Sequence, residues 1–146
     1  MNSNLLLHGR SLVRGLVRGK LAALSSPLSM WGGFDLETGR ISDVNHPQFG
    51  EIIAGKILLM PGGRGSSSSS SILLESARLS MNPLAVIVSV NDPIIAIGAL
   101  VAADLYGVHI PVILIEPACM GKFDTDMIVE VDARAEKATI AVSGNK

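Results

Sequence analysis

The chain has 146 residues, 48% of them hydrophobic, with 12 basic and 13 acidic side chains and a formal net charge of -1. That is one domain's worth of chain, and a domain of this size buries roughly 68 to 70% of the surface its unfolded chain exposes, so it needs no metal or disulfide to fold. The single cysteine, Cys119, allows no internal disulfide, the balanced charge argues against a nucleic-acid partner, and the longest apolar run, Ile94 to Ala103, falls far short of the ~20 residues a bilayer demands.

The expectation is a cytoplasmic protein forming a single domain over residues 1–146, without membrane association. Mean hydropathy is high, at +0.44, yet there are only three Phe, one Trp and one Tyr. Val, Ile, Leu and Ala make up the surplus, the usual filling of buried strands in an α/β fold. An apolar face docked on a partner chain would account for it equally.

In chain order, residues 5–17 and 21–24 read as short strands broken by glycines. Arg10, Arg14, Arg18 and Lys20, with no acid before Asp35, also resemble an organellar transit peptide. Gly9, Gly15 and Gly19 oppose the amphipathic helix such a peptide needs. The apolar stretch Leu5 to Leu7 is too short for a secretory signal. Residues 25–55, rich in Gly, Pro, Asp and Asn, read as a long ordered loop, and loops of that length are commonly functional.

From there the signals sharpen. Residues 57–60 form an apolar strand, 61–71 a Gly/Ser loop, 72–79 a helix and 84–90 a second buried strand. Asp92 supplies an N-cap and Pro93 the first helical position of a helix over 94–105, which Gly107 ends. Residues 110–115 are a third strand. Strand, helix, strand, helix, strand with short connections is the pattern of parallel crossovers. Residues 127–131 and 139–142 are late strands around the polar turn 132–137. The six serines Ser66 to Ser71 have a linker's composition, but they join a strand to a helix inside one crossover, which makes them a loop.

The segment Pro61-Gly62-Gly63-Arg64-Gly65-Ser66-Ser67 therefore sits between a strand and a helix, where free N–H groups and the positive end of the helix dipole face an anion. Glycines let the backbone approach a ligand, and Arg64 offers a bidentate grip on carboxylate or phosphate. A Walker A loop is excluded, because no lysine is present in the segment. A dinucleotide fingerprint is met at Gly63 and Gly65 but not at Ser68, with Asp92 where a ribose-binding acid would sit. The G-x-S-x-G elbow of the α/β-hydrolases is absent. The plainest reading is that these residues turn the chain and cap the helix. An arginine between glycines, followed by a run of hydroxyls, is more than a cap requires.

The series Pro27-Leu28-Ser29-Met30-Trp31-Gly32-Gly33-Phe34-Asp35, Thr38-Gly39-Arg40-Ile41-Ser42-Asp43, His46-Pro47, Gly50, Ala54-Gly55-Lys56 and Pro61 to Ser67 resembles the small subunit of aconitase X, in order over most of the chain. The resemblance implies an α/β fold, the swivelling β/β/α domain of the aconitase type. It also implies a separate large-subunit partner, in a heterodimer or higher assembly, that holds an iron–sulfur cluster, with none bound by this chain alone. Gly65-Ser66-Ser67 is similar to the G-S-S loop of those swivelling domains, which points to Ser66 as the catalytic base. Gly62, Gly63, Arg64, Gly65, Ser67, Ser29, Trp31, Gly32 and His46 are the candidate substrate contacts. The aconitase loop continues with Arg and Glu where this one continues with serines, so Arg64 would bind from the other side.

Such a subunit dehydrates a small hydroxy acid. The resemblance covers cis-3-hydroxy-L-proline, which we favour, and 5-phosphomevalonate. A non-catalytic phosphate- or nucleotide-binding module using the same loop, or a regulatory subunit, are the readings from other classes. His46 serves either as a proton carrier or substrate contact, or as a lock on its polar loop through Asp43. Trp31 lines the cleft or the subunit interface, or packs under the loop. His8 and His109 read as structural, and Cys119 as a buried or partner-facing thiol.

Overall fold

A computed structural model describes residues 5–63 and 67–143. Strands β1 (Leu5–Val13) and β2 (Leu16–Ala23) precede a long loop containing one interrupted helical turn, α1 (Met30–Gly33). Then follow β3 (Ile57–Met60), α2 (Ser69–Arg78), β4 (Ala85–Val88), α3 (Pro93–Tyr106), β5 (Val112–Leu114), a 3-10 turn at Pro117–Lys122, β6 (Ile128–Asp132) and β7 (Lys137–Val142). The strands close into a barrel in the order β1-β5-β4-β3-β2-β6-β7. β2, β3, β4 and β5 run parallel to one another, whereas the seams of β1 with β5 and β7, and of β6 with β2 and β7, are antiparallel.

The apolar runs explain the parallel part. Leu58, Met60, Val86, Val88 and Val112 pack beneath Leu73, Ala77, Ile95, Ala99 and Ala102 of the two long helices. Their neighbours Ile57, Leu59, Ala85, Ile87 and Ile113 turn the other way, into a barrel interior shared with Leu21, Val129, Val131, Ala138 and Ile140. Strands buried on both faces have no polar face to show, hence the unbroken hydrophobic sequence. β6 carries exposed Glu130 between buried Val129 and Val131, and β7 alternates buried Ala138, Ile140 and Val142 with half-buried Thr139 and Ala141, the alternation of strands covered on one face. In the turn between them, the side-chain hydrogen bonds from Arg134 hold the Asp132 carboxyl down at about 2.

The α/β class and the parallel crossover strands are as the sequence implies, while several element boundaries move. The stretch 5–17 is not one strand, since β1 stops at Val13 and β2 resumes at Leu16. β2 runs through Gly19, which pairs with Val129 instead of breaking the strand. The helix expected over 72–79 begins at Ser69, inside the serine run. Burial of Ser69, Leu73, Ser76 and Ala77 along one face overrides the weak helix propensity of serine. α3 follows its punctuation, with Asp92 capping, Pro93 in the first turn and Gly107 in the left-handed conformation at φ +66°.

Residues 25–55 are ordered by two isolated bridges, Phe34 with Ile41 and Arg40 with Ile52. They bury Leu28, Met30, Phe34, Ile41 and Ile53. α2 and α3 touch closely at Gly98, where an added Cβ would lie 2.9 Å from the Ser70 carbonyl oxygen and 3.1 Å from its Cα. Gly98→Val should therefore force the helices apart and destabilise the fold by about 1–3 kcal/mol. Urea unfolding tests this, and a midpoint equal to wild type would refute the tight helix contact.

Candidate functional site

The cleft lies where the parallel strands end. Pro61–Gly63 follow β3 and Ser89–Asp92 follow β4, and α2 and α3 begin on the same side. Ligands of open α/β sheets collect at such carboxyl ends. Leu28, Gly62, Gly63, Ser69, Val90, Asn91 and residues 92–95 enclose about 230 Å³. The two strand ends are tied together by Ser89, whose N–H and hydroxyl both donate to the Pro61 carbonyl at 3.1 and 3.0 Å.

Asp92 links the third element. One carboxylate oxygen accepts from the Ile95 N–H at 3.1 Å, the bond of an N-cap, and the other accepts from the Gly63 N–H at 2.9 Å. A Cβ at position 63 would overlap the Asp92 carboxylate and push it away, so glycine permits the close approach there.

The long loop is fastened to the same place. Leu28 bridges Gly63, and the Trp31 N–H donates to the hydroxyl of Ser69 at 3.2 Å. Ser69 is only 5% exposed. The Ser29 hydroxyl donates to the Trp31 carbonyl at 2.9 Å, and the Ser42 hydroxyl to the Gly32 carbonyl at 3.3 Å. Gly32 takes a φ of +82°, and the Trp31 side chain is left 56% exposed. Further along the loop, the Glu37 N–H and then the Thr38 hydroxyl hold the Asp35 carboxyl below its ordinary value.

Gly62, Gly63, Ser29, Trp31 and Gly32 are thus drawn together around the start of α2, and Ser67 receives the Ser70 hydroxyl on its carbonyl at 3.0 Å. Arg64, Gly65 and Ser66 lie outside the described residues. His46 does not line the cleft. It is buried, with Nδ1 accepting from the Gln48 N–H at 3.0 Å and Nε2 3.1 Å from the Ser26 carbonyl. An accepting Nδ1 makes Nε2–H the donor to Ser26. Gln48 continues the fastening through its amide to the Ala23 carbonyl at 2.7 Å. Asp43 reaches His46 only through its main-chain carbonyl, 3.0 Å from the His46 N–H.

A family model of the aconitase X swivel domain matches residues 6–142. The chain belongs to the aconitase X swivel-domain family. This swivel domain is 40% identical over 116 residues to the cis-3-hydroxy-L-proline dehydratase of Pseudomonas aeruginosa, covering 79% of this chain and 19% of that protein. It thus spans about a fifth of that relative's length. It is also 40% identical over 126 residues to the phosphomevalonate dehydratase small subunit of Methanothermobacter thermautotrophicus, covering 85% of this chain and 91% of that one. The crystal structure of Thermococcus kodakaraensis aconitase X in its holo-form aligns with a TM-score of 0.81 at 34% identity, over 93% of this chain and 98% of that one.

An iron–sulfur cluster does not fit the donor set of the swivel domain. Among the described residues no three His, Cys, Asp or Glu side chains gather in a way that could hold a metal ion, and Cys119 is the only cysteine in the chain. Nor is any helix among the described residues long and apolar enough to cross a membrane.

Ser69 escapes notice as a cleft residue in the sequence, and Asp92 reads there only as an N-cap and as a ribose-binding acid. Ser69 is one of six identical neighbours, and nothing local distinguishes the buried one. Asp92 shows its capping role in sequence, whereas its second bond, to a residue far back in the chain, does not. The chain's single tryptophan supplies the main-chain N–H of the Ser69 contact, so its emission follows a displacement of the loop. Ser69→Ala should shift Trp31 emission and cost about 1 kcal/mol of stability, the net value of one hydrogen bond. Unchanged fluorescence and stability would show that the contact does not hold the loop.

Proposed function

We propose that this chain is the swivelling small subunit of a cytoplasmic aconitase X type hydro-lyase, active only with its large subunit. The observation that carries the reading is the Gly/Ser segment joining β3 to α2 at a cleft, in a chain of this family. Ser66 is the base that takes the proton from the carbon next to the substrate carboxylate. A serine hydroxyl is a poor base in water, and the start of α2 together with Arg64 would stabilise the alkoxide. Gly62, Gly63, Gly65 and Ser67 shape the anion seat, while Ser29, Trp31 and Gly32 form its flank. We assign His46, with both ring nitrogens engaged by backbone groups, to holding the loop. In this reading an iron–sulfur cluster belongs to the large subunit, and the part of this chain is the proton.

The substrate we put first is cis-3-hydroxy-L-proline, a zwitterion. It is favoured by the cis-3-hydroxy-L-proline dehydratase of Pseudomonas aeruginosa, to which this chain is 40% identical over 116 residues. The second reading is 5-phosphomevalonate. It is favoured by the Methanothermobacter small subunit, which this chain spans over 91% of its length.

Co-expression with a large subunit, anaerobic purification and assay of both dehydrations test this reading. The expected result is turnover of the hydroxyproline, lost by at least about 10²-fold in Ser66→Ala while the two chains still copurify. Full activity of the large subunit alone would make this chain regulatory. Tight nucleotide binding by the isolated chain, with neither dehydration in the complex, would replace the lyase with a nucleotide-binding module.

A further inference from the structure

An N-cap needs one side-chain oxygen, and serine, asparagine and aspartate cap about equally well. Asp92 uses both of its oxygens. The one beyond the cap's requirement accepts from the Gly63 N–H at 2.9 Å, across a gap of 29 residues in the chain. Asp92 is 9% exposed, so this bond is largely screened from solvent. Oδ1 and Oδ2 each take one of the two bonds, so a single acceptor oxygen held in the capping position does not also reach Gly63, and a Cβ at position 63 would push the carboxylate away. Cap and glycine are matched to each other.

The consequence falls on the segment between them and α2. Ser66 follows Gly63 by three residues, a span of at most about 11 Å even when fully extended. On the near side that span starts from an amide pinned by Asp92. On the far side it enters α2 at Ser69, pinned by the Trp31 N–H. Asp92 also settles which helix end is available to a substrate anion. Its carboxylate occupies the start of α3, where Pro93 contributes no N–H, so an incoming carboxylate is left with the start of α2.

Resting on the lyase reading above, we propose that Asp92 is a positioning residue for the Ser66 base: it holds the Gly/Ser segment through the Gly63 amide and itself touches neither substrate nor the proton in transit. The variants that isolate the second bond are Asp92→Asn and Asp92→Ser, both of which keep the α3 cap. Two measurements separate the possibilities. Amide hydrogen exchange on the full chain should show Gly63 exchanging about tenfold faster or more, with Ile95 still protected. Kinetics of the assembled complex should show kcat falling by about 10- to 100-fold with KM within about threefold, the signature of a displaced catalytic group.

Faster Gly63 exchange with wild-type kcat would overturn the positioning role and leave Asp92 as a purely structural tie. Unchanged Gly63 exchange would overturn the tie itself. A wild-type complex that turns over neither substrate defeats the lyase reading and the catalytic part of this proposal with it, while the exchange result on the free chain still decides whether Asp92 holds Gly63.

Discussion

Burial of β3, β4 and β5 on both faces is the constraint from which the site follows. The outward side chains of these strands join one apolar cluster with α2, α3 and the long loop, and the inward ones join the cluster of the barrel interior. At about 1.5–3 kcal/mol per fully buried aliphatic side chain, residues such as Leu58, Ile87 and Val88 are worth too much for the strands to shift or tilt. Parallel neighbours so fixed must be joined by crossovers, and crossovers bring the strand ends and the helix starts to one edge. The antiparallel seams of β1, β2, β6 and β7 complete the barrel and leave no open sheet edge.

At that edge the structure spends polar groups sparingly and on backbone. Ser89 ties β4 to Pro61, Asp92 ties α3 to Gly63, and Ser69 ties α2 to the Trp31 segment. Three side chains from three elements thus converge on segments that would otherwise be loose loops. Each acts on a main-chain group, so the arrangement depends on backbone shape more than on the side chains of the loops. This gives physical sense to a loop composed of glycine and serine. A side chain at position 63 would push the Asp92 carboxylate away.

Local signals in the sequence carried far. The unbroken runs Ile57–Met60 and Ala85–Val88 announce strands buried on both faces, and Asp92-Pro93 with Gly107 bracket α3 almost to the residue. Gly62 and Gly63 mark the cleft because few loops need two adjacent glycines between a strand and a helix. Closure of the barrel was not legible, since β1 pairs with β7 from the opposite end of the chain and alternation alone does not choose the partner. Gly19 misleads for a related reason: it reads as a breaker locally and is tolerated because β6 pairs with it. His46 shows the same limit in the site. A histidine in a polar loop carries no mark that tells a ring facing a substrate from one that bonds to Ser26 and Gln48.

The proposed function requires the cleft between Gly63 and Asp92 to be one wall of a site completed by another chain. Its most direct test is amide hydrogen exchange along the whole chain, free and in complex with a large subunit and substrate. Slower exchange in the complex is expected at residues 61–69 and 89–95, the two segments that frame the cleft. Protection confined to the β6–β7 side, with those two segments exchanging as they do in the free chain, would contradict it.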